Sequence, residues 1–303
     1  MNVLVEAVGS PAWATLLPYL RTVATRIVAL DIDPLAAGLY LVDRGYLVPR
    51  YSEPGCMDAL VDICRRERID WVFPTIHEGL HLWAARRAAL AAEGIRVVIS
   101  PSETIAICHD KWETYGFFRT HGIPTPRTSL RPEHDLIKPR VGRGGSGQRR
   151  IAPGEAVDMN GCIAQEFLIG TEFSVDALCD FDGKVLYVVP RQRLAVESGL
   201  SVRGRVVRDD EIETHVRTIL GATRFVGPVD VQCFRTAAGV RFTEINPRIA
   251  GGLSLAMAAT ENWFDVLQRL TRGEVVQPKP IADGLVMLRH YADCIVTPEA
   301  LLR

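Results

Sequence analysis

The chain has 303 residues, a length that suggests roughly two domains. Apolar residues make up 48% and charged residues 23%, which excludes disordered and fibrous classes. Lys and Arg number 35 against 36 for Asp and Glu, and a net charge of −1 provides no global field to draw in nucleic acid or an anionic membrane surface. Any anion must therefore meet a local pocket. The seven cysteines never form CxxC, and an odd number fits reduced thiols better than a disulfide framework. The opening MNVLVEAVGS lacks a basic segment, its apolar run stops at Glu6, and no run approaches the ~18 apolar residues of a membrane helix. These features read as a soluble, cytoplasmic protein with no nucleic-acid and no membrane partner.

Residues 2–8 (NVLVEAV) read as a buried strand, and 11–20 as a helix with Ser10 as N-cap and Pro11 in its first turn. Strands follow at 26–33, 69–76 and 95–100, with helical spacing at 56–67 and 81–94, the latter stopped by Gly94. Alternating strand and helix predicts a parallel sheet covered on both faces, a Rossmann-like α/β domain. From about Pro124 the pattern changes to strands at 135–139, 148–151, 162–168, 172–181 and 183–190, with an Asp-Gly hairpin at 181–184. A second hairpin joins 227–234 to 239–246, and helices follow at 253–259 and 262–271. That part reads as α+β, an antiparallel sheet with helices beside it. The predicted boundary lies near residue 110.

Three strings carry candidate chemistry. HEGLH (77–81) matches the zinc-protease pattern HExxH, which requires both imidazoles on one face of a continuous helix and a third ligand. His77 stands where a strand ends, Gly79 weakens any helix inside the motif, and no third ligand follows, so zinc is not expected. GRGGSG (142–147) fits GxGxxG, but a strand-like run follows it where a dinucleotide site needs a helix. It reads instead as a hairpin loop whose free N–H groups wrap phosphate oxygens, with Lys138 just before it and Arg143 within it. FTEINPRIAGG (242–252) places Glu244 and Asn246 on one strand face, and across the hairpin Asp230 and Gln232 share a face that could meet them. Acids and amides supply the oxygen ligands a hard cation prefers, and Arg248 could fork onto a phosphate or carboxylate.

In order, DK (110–111), IKPRVGRGGSG (137–147), QEFLIGTEFSVD (165–176) and VDVQCF…FTEINPR (229–248) resemble the ATP-grasp superfamily, nearest its carbamoyl-phosphate-synthase large-subunit-like branch. The resemblance spans essentially the whole chain. It implies a Rossmann-like preATP-grasp domain over 1–110 and an ATP-grasp domain over 111–303, divided into a small lid subdomain (111–164) and a catalytic subdomain with a larger antiparallel sheet (165–303). By the same resemblance, Lys111 and Lys138 hold nucleotide phosphates, and the loop with Gly144, Gly145, Ser146 and Gly147 covers them. Gln165, Glu166, Phe167 and Leu168 form the adenine hinge and slot, and Glu172 binds the ribose.

Gln232, Glu244 and Asn246 correspond to the metal set, with Asp230 as the other candidate first ligand. Gln at a position where many relatives carry an acid leaves the number of metals open. The implied cofactors are ATP and Mg²⁺, with Mn²⁺ able to substitute. The implied activity is a carboxylate–amine ligase that makes an acyl-phosphate from a small carboxylate and passes it to a small amine. Lys138, Arg193 and Arg248 would act on the reacting groups, Arg193 reaching the substrate carboxylate or acyl-phosphate from the segment 191–205. Two other readings stay open: carboxyphosphate or carbamate chemistry, and a non-catalytic nucleotide-binding partner. Family habit points to a homodimer.

Overall fold

A computed structural model of the chain describes residues 1–152, 154–197 and 199–302. Strands β1 (Asn2–Glu6), β2 (Arg26–Asp31), β3 (Arg44–Leu47), β4 (Trp71–Phe73) and β5 (Arg96–Val97) form a parallel sheet in the order β3-β2-β1-β4-β5. The run in β1 is apolar because the strand is buried on both faces. Val3 and Val5 pack on Trp13, Leu16 and Leu20 of α1 (Pro11–Arg21), and Leu4 meets Leu60 and Cys64 of α2 (Cys56–Arg66) and Trp83 of α3 (Leu80–Ala92). Ser10 caps α1, its hydroxyl accepting from the Ala12 N–H, and Pro11 opens the first turn. The expected strands at 69–76 and 95–100 shrink to three and two residues, and Pro74, directly after β4, has no N–H to extend its ladder.

The chain order reverses between β1 and β4, and such a switch point opens a crevice at the carboxyl ends of the strands. Glu6 builds this end. Its buried carboxylate accepts from the Thr75 N–H at 2.7 Å, the Ile76 N–H at 3.0 Å, the Trp83 indole at 3.1 Å and the Tyr51 hydroxyl. Burial raises its pKa above the usual carboxylate value. Ala7, the next residue, takes a φ of 54°, a strained conformation for a residue with a Cβ.

Helices α4 (Ser102–His109) and α5 (Lys111–Thr120) follow, with Asp110 capping α5 through the Trp112 N–H. A four-stranded antiparallel sheet in the order β6-β9-β7-β8 comes next, from β6 (Thr128–Ser129), β7 (Leu136–Pro139), β8 (Arg149–Arg150) and β9 (Cys162–Gln165). The glycine string connects β7 to β8 as a hairpin loop.

The largest sheet has the order β14-β13-β10-β11-β12-β15. Its strands are β10 (Thr171–Cys179), β11 (Val185–Glu197), β12 (Leu200–Val206), β13 (Gly227–Thr236), β14 (Gly239–Asn246) and β15 (Val286–Leu288). Alternation divides its faces. Phe173, Val175, Ala177, Val229, Val231, Cys233, Val240 and Phe242 pack on one side against Ile212, Val216, Ile219 and Leu220 of α6 (Asp210–Ala222). Each such fully buried aliphatic side chain contributes about 1.5–3 kcal/mol. The opposite face takes the intervening residues and carries the polar set. Segment 191–205, which carries Arg193, continues this sheet: β11 runs on to Glu197 and β12 returns, with register shifts between Arg193 and Ala195 and between Ala195 and Val196. Ser198, part of that segment, lies outside the described residues. Helices α7 (Leu253–Ala259) and α8 (Trp263–Thr271) join this sheet's core to α1. Among the described residues no helix is long and apolar enough to cross a membrane.

Candidate functional site

A cavity of about 560 Å³ opens between the polar face of the large sheet, the small sheet with its glycine loop, and the carboxyl ends of the parallel strands. Strand register organises its floor. Glu244 pairs with Gln232, Gln232 with Ser174, and Ser174 with Arg191, so one row crosses four strands. The next row pairs Asn246 with Asp230 and Asp230 with Asp176. Side chains two apart on a strand share a face, so both rows point the same way.

Asp230 sits at the centre. It is 3% exposed, and its Oδ2 accepts from the amides of Gln232 at 3.2 Å and Asn246 at 3.3 Å. Its Oδ1 is buried without a partner among the described residues. A buried carboxylate oxygen left without a donor is costly and suits a cation. No group of three or more His, Cys, Asp or Glu is placed to hold a metal ion among the described residues, so a divalent ion would draw on carboxylates from Asp230 and Glu244 and amides from Gln232 and Asn246. That donor set fits Mg²⁺, which takes one or two carboxylates and completes its shell with water and phosphate.

Lys138 reaches the cavity from β7, its ammonium donating to Gln165 Oε1 at 2.8 Å. Burial lowers its pKa, while Glu244 and Glu172 pull the other way. Gln165 in turn donates to Thr128 Oγ1 at 3.0 Å, so its side chain belongs to the framework of the lid sheet. Arg248 donates to the Ile249 carbonyl at 3.0 Å and Asn246 Oδ1 at 3.2 Å, and its Nε–H is buried without an acceptor among the described residues. Burial lowers its pKa as well.

Gly144 and Gly145 line the cavity with φ of 63° and 72°. The loop is held from three sides: Arg143 pairs with Glu78 at 3.2 Å, the Lys111 ammonium donates to the Gly142 carbonyl at 3.0 Å, and Gly199 lies so near that a Cβ there would sit 2.8 Å from Gly144 Cα. Lys111, Ser146 and Gly147 stand outside the cavity wall; Ser146 N–H closes a turn onto the Arg143 carbonyl.

Glu166, Phe167 and Leu168 line the cavity, and the Glu166 carbonyl and Leu168 N–H have no partner among the described residues. The Phe167 ring carries the Arg150 guanidinium at 4.3 Å. Glu172 and Arg193 both line the wall but hold each other at 2.5 Å, and Arg193 also donates to the Gly199 carbonyl.

His77 lies in a short 3₁₀ turn before α3 and His81 within α3. His77 stacks on His109, with ring centroids 4.4 Å apart, and burial lowers its pKa to about 4.

Several wall residues escape the sequence reading. Ala7, Trp13, Thr75 and Ile76 come from the parallel domain, and only the switch-point rule could have nominated them. The buried Asp176–Arg191 pair, 2.5 Å apart, had one signal: both residues alternate with the chosen ones on their strands.

Two family descriptions match the chain: a PylC-like N-terminal domain over residues 4–98, and an ATP-grasp of the biosynthetic pathway with the Ter operon over residues 158–290. A search of the curated proteins finds no match. Among solved structures, pyruvate carboxylase of Rhizobium etli is similar with a TM-score of 0.67 at 17% identity, over 86% of this chain and 27% of that one. The chain therefore spans about a quarter of that enzyme's length. The biotin carboxylase domain of 2-oxoglutarate carboxylase from Hydrogenobacter thermophilus, a dimer in complex with MgADP and bicarbonate, gives 0.70 at 14% identity over 94% of this chain and 73% of that one. N5-carboxyaminoimidazole synthetase of Staphylococcus aureus gives 0.69 at 15% identity over 95% and 81%.

Proposed function

We propose that this chain, whose residues 158–290 match an ATP-grasp family and whose residues 4–98 match a PylC-like N-terminal domain, is an ATP- and Mg²⁺-dependent ligase that joins a small-molecule carboxylate to a small-molecule amine. The observation that carries the reading is the convergence on one cavity of two half-buried cations, Lys138 and Arg248, with the Asp230, Gln232, Glu244 and Asn246 oxygens under a glycine loop. A carboxylate and a triphosphate repel each other in water, and this arrangement offsets the repulsion. In the reaction, a carboxylate oxygen takes the γ-phosphoryl group and ADP leaves. The amine nitrogen then attacks the acyl carbon, loses a proton, and expels phosphate.

Lys138 and Arg248 stand ready to stabilise charge spreading onto the transferring group. Glu244, Asn246 and Asp230 or Gln232 would hold Mg²⁺, which when bound neutralises phosphate charge. The Glu166 carbonyl and Leu168 N–H supply the unpaired acceptor and donor that an adenine edge needs, beside the apolar face of Phe167. Glu172 binds the ribose only after giving up Arg193. Gly144 and Gly145 close over the phosphates and keep water from the acyl-phosphate.

The test is release of ADP with pooled amino acids and small organic acids, followed by mass spectrometry of the product. ADP formation that depends on both a carboxylate and an amine supports the ligase. ATP binding without turnover in any pool overturns it and leaves a nucleotide sensor. A second reading, carboxyphosphate chemistry, is favoured by the likeness to the biotin carboxylase domain crystallised with bicarbonate. ADP release that requires bicarbonate and no organic carboxylate selects it.

A further inference from the structure

Arg289 is left unused by the chemistry above. It follows β15, and its Nη2 donates to the Gly251 carbonyl at 2.6 Å. Its Nε and Nη1 are buried without acceptors, and it takes part in no salt bridge among the described residues. One residue further along the same loop, Gly252 lies against Arg191: a Cβ on Gly252 would fall 2.3 Å from Arg191 Nη1. Arg191 is 1% exposed, spends its Nε on Asp176, and leaves Nη1 buried without an acceptor. Both Gly251 and Gly252 line the cavity, as does Arg191.

Three guanidinium groups, Arg191, Arg248 and Arg289, thus gather around residues 246–252, and two buried carboxylates, Asp176 and Asp230, stand against them. Burying a cation without a counter-charge is costly, and packing two guanidinium groups about one turn adds repulsion. Burial together with the Arg191 charge lowers the Arg289 pKa, the mark of a cation lacking its anion. The glycines keep the position open for Arg191, since any side chain at 252 would overlap it. A planar fork with free N–H groups is suited to a carboxylate or phosphate. Arg193, the sequence candidate for that role, is already engaged by Glu172 and the Gly199 carbonyl.

We propose that Arg191 and Arg289, on either side of the Gly251–Gly252 turn, receive a second acidic group of the substrate, so that the molecule joined carries a carboxylate or phosphate beyond the one activated. The inference rests on the ligase reading for the word substrate, but the anion subsite itself is read by binding alone.

With the nucleotide site filled by MgADP, titration calorimetry compares butyrate with succinate and 3-phosphopropionate, separating a second carboxylate from a phosphate. One of the two-acid probes is expected to bind about ten- to a hundredfold more tightly than butyrate, the value of one hydrogen-bonded ion contact. Arg289→Gln is expected to reduce that probe to the butyrate level, leave MgADP affinity unchanged, and leave the melting temperature unchanged or higher. Equal binding of all probes, no binding of any, or an undiminished preference in Arg289→Gln overturns the proposal. So does a lower melting temperature with weakened MgADP binding, which would make Arg289 a framework residue. Failure of ADP release with an intact two-acid preference sinks the ligase reading and leaves the subsite standing.

Discussion

Replacing Lys138 by Met separates catalysis from stability, because the structure sets the two effects in opposite directions. The side chain is half-buried and its ammonium makes one hydrogen bond, to Gln165 Oε1 at 2.8 Å. Methionine keeps the volume and orphans that oxygen, a cost of about 1–3 kcal/mol. It also removes a desolvated cation, a relief of about several kcal/mol. The melting temperature is therefore expected to stay level or rise. Burial has lowered the Lys138 pKa, so the unfolded chain holds that proton more firmly than the folded one. Wild-type stability thus gains on the variant as pH rises toward the ordinary lysine range, and Met is most favourable at neutral pH and below.

The rate responds the other way. Loss of one preorganised cation at the transferring phosphoryl group removes about 10²–10³ in kcat, or about 3–4 kcal/mol. ADP release at saturating MgATP, read beside a thermal melt, measures both. Turnover within about threefold of wild type refutes the catalytic role, threefold being under 1 kcal/mol. A melting temperature several degrees lower with nucleotide binding lost refutes the desolvation argument.

Glu244→Gln is expected to bind MgATP and to lose most turnover, since one of the two carboxylates facing the donor set disappears; near-normal ADP release with saturating Mg²⁺ counts against the metal assignment. Gly145 has a φ of 72°, so Gly145→Val strains the loop by about 1–3 kcal/mol and should lower kcat while raising the fraction of ATP hydrolysed without product; wild-type rate with one-to-one coupling counts against the lid. Burial sets the His77 pKa to about 4 against an ordinary 6.5, so the unfolded imidazole takes a proton in that window while the folded one does not. Stability should fall from this site by about 1.4 kcal/mol per unit as pH drops from 6.5 to 4, and His77→Gln should flatten the slope; parallel melting-temperature profiles would refute it.

Local pattern reached the α/β sheet, the glycine hairpin and the hairpin joining 227–234 to 239–246, because each rests on periodicity or a single turn within a few residues. It missed α6, although Asp209 as N-cap and Ile212, Val216, Ile219 and Leu220 at helical spacing were available. It could not reach β15 pairing with β12, or Arg191 beside Asp176, because long-range register is written in no single stretch. The Arg193 assignment shows the cost. Arg191 and Arg193, two apart on β11, both line the cavity, and the sequence offers no reason to prefer either. Charge pairing supplies the reason: Glu172 neutralises Arg193, whereas Asp176 leaves one face of Arg191 open and Arg289 adds a cation with no carboxylate of its own. If Glu172 turns to a ribose, Arg193 is released at the moment nucleotide binds, and the wall gains a further cation. An acidic substrate would then bind after ATP rather than before it.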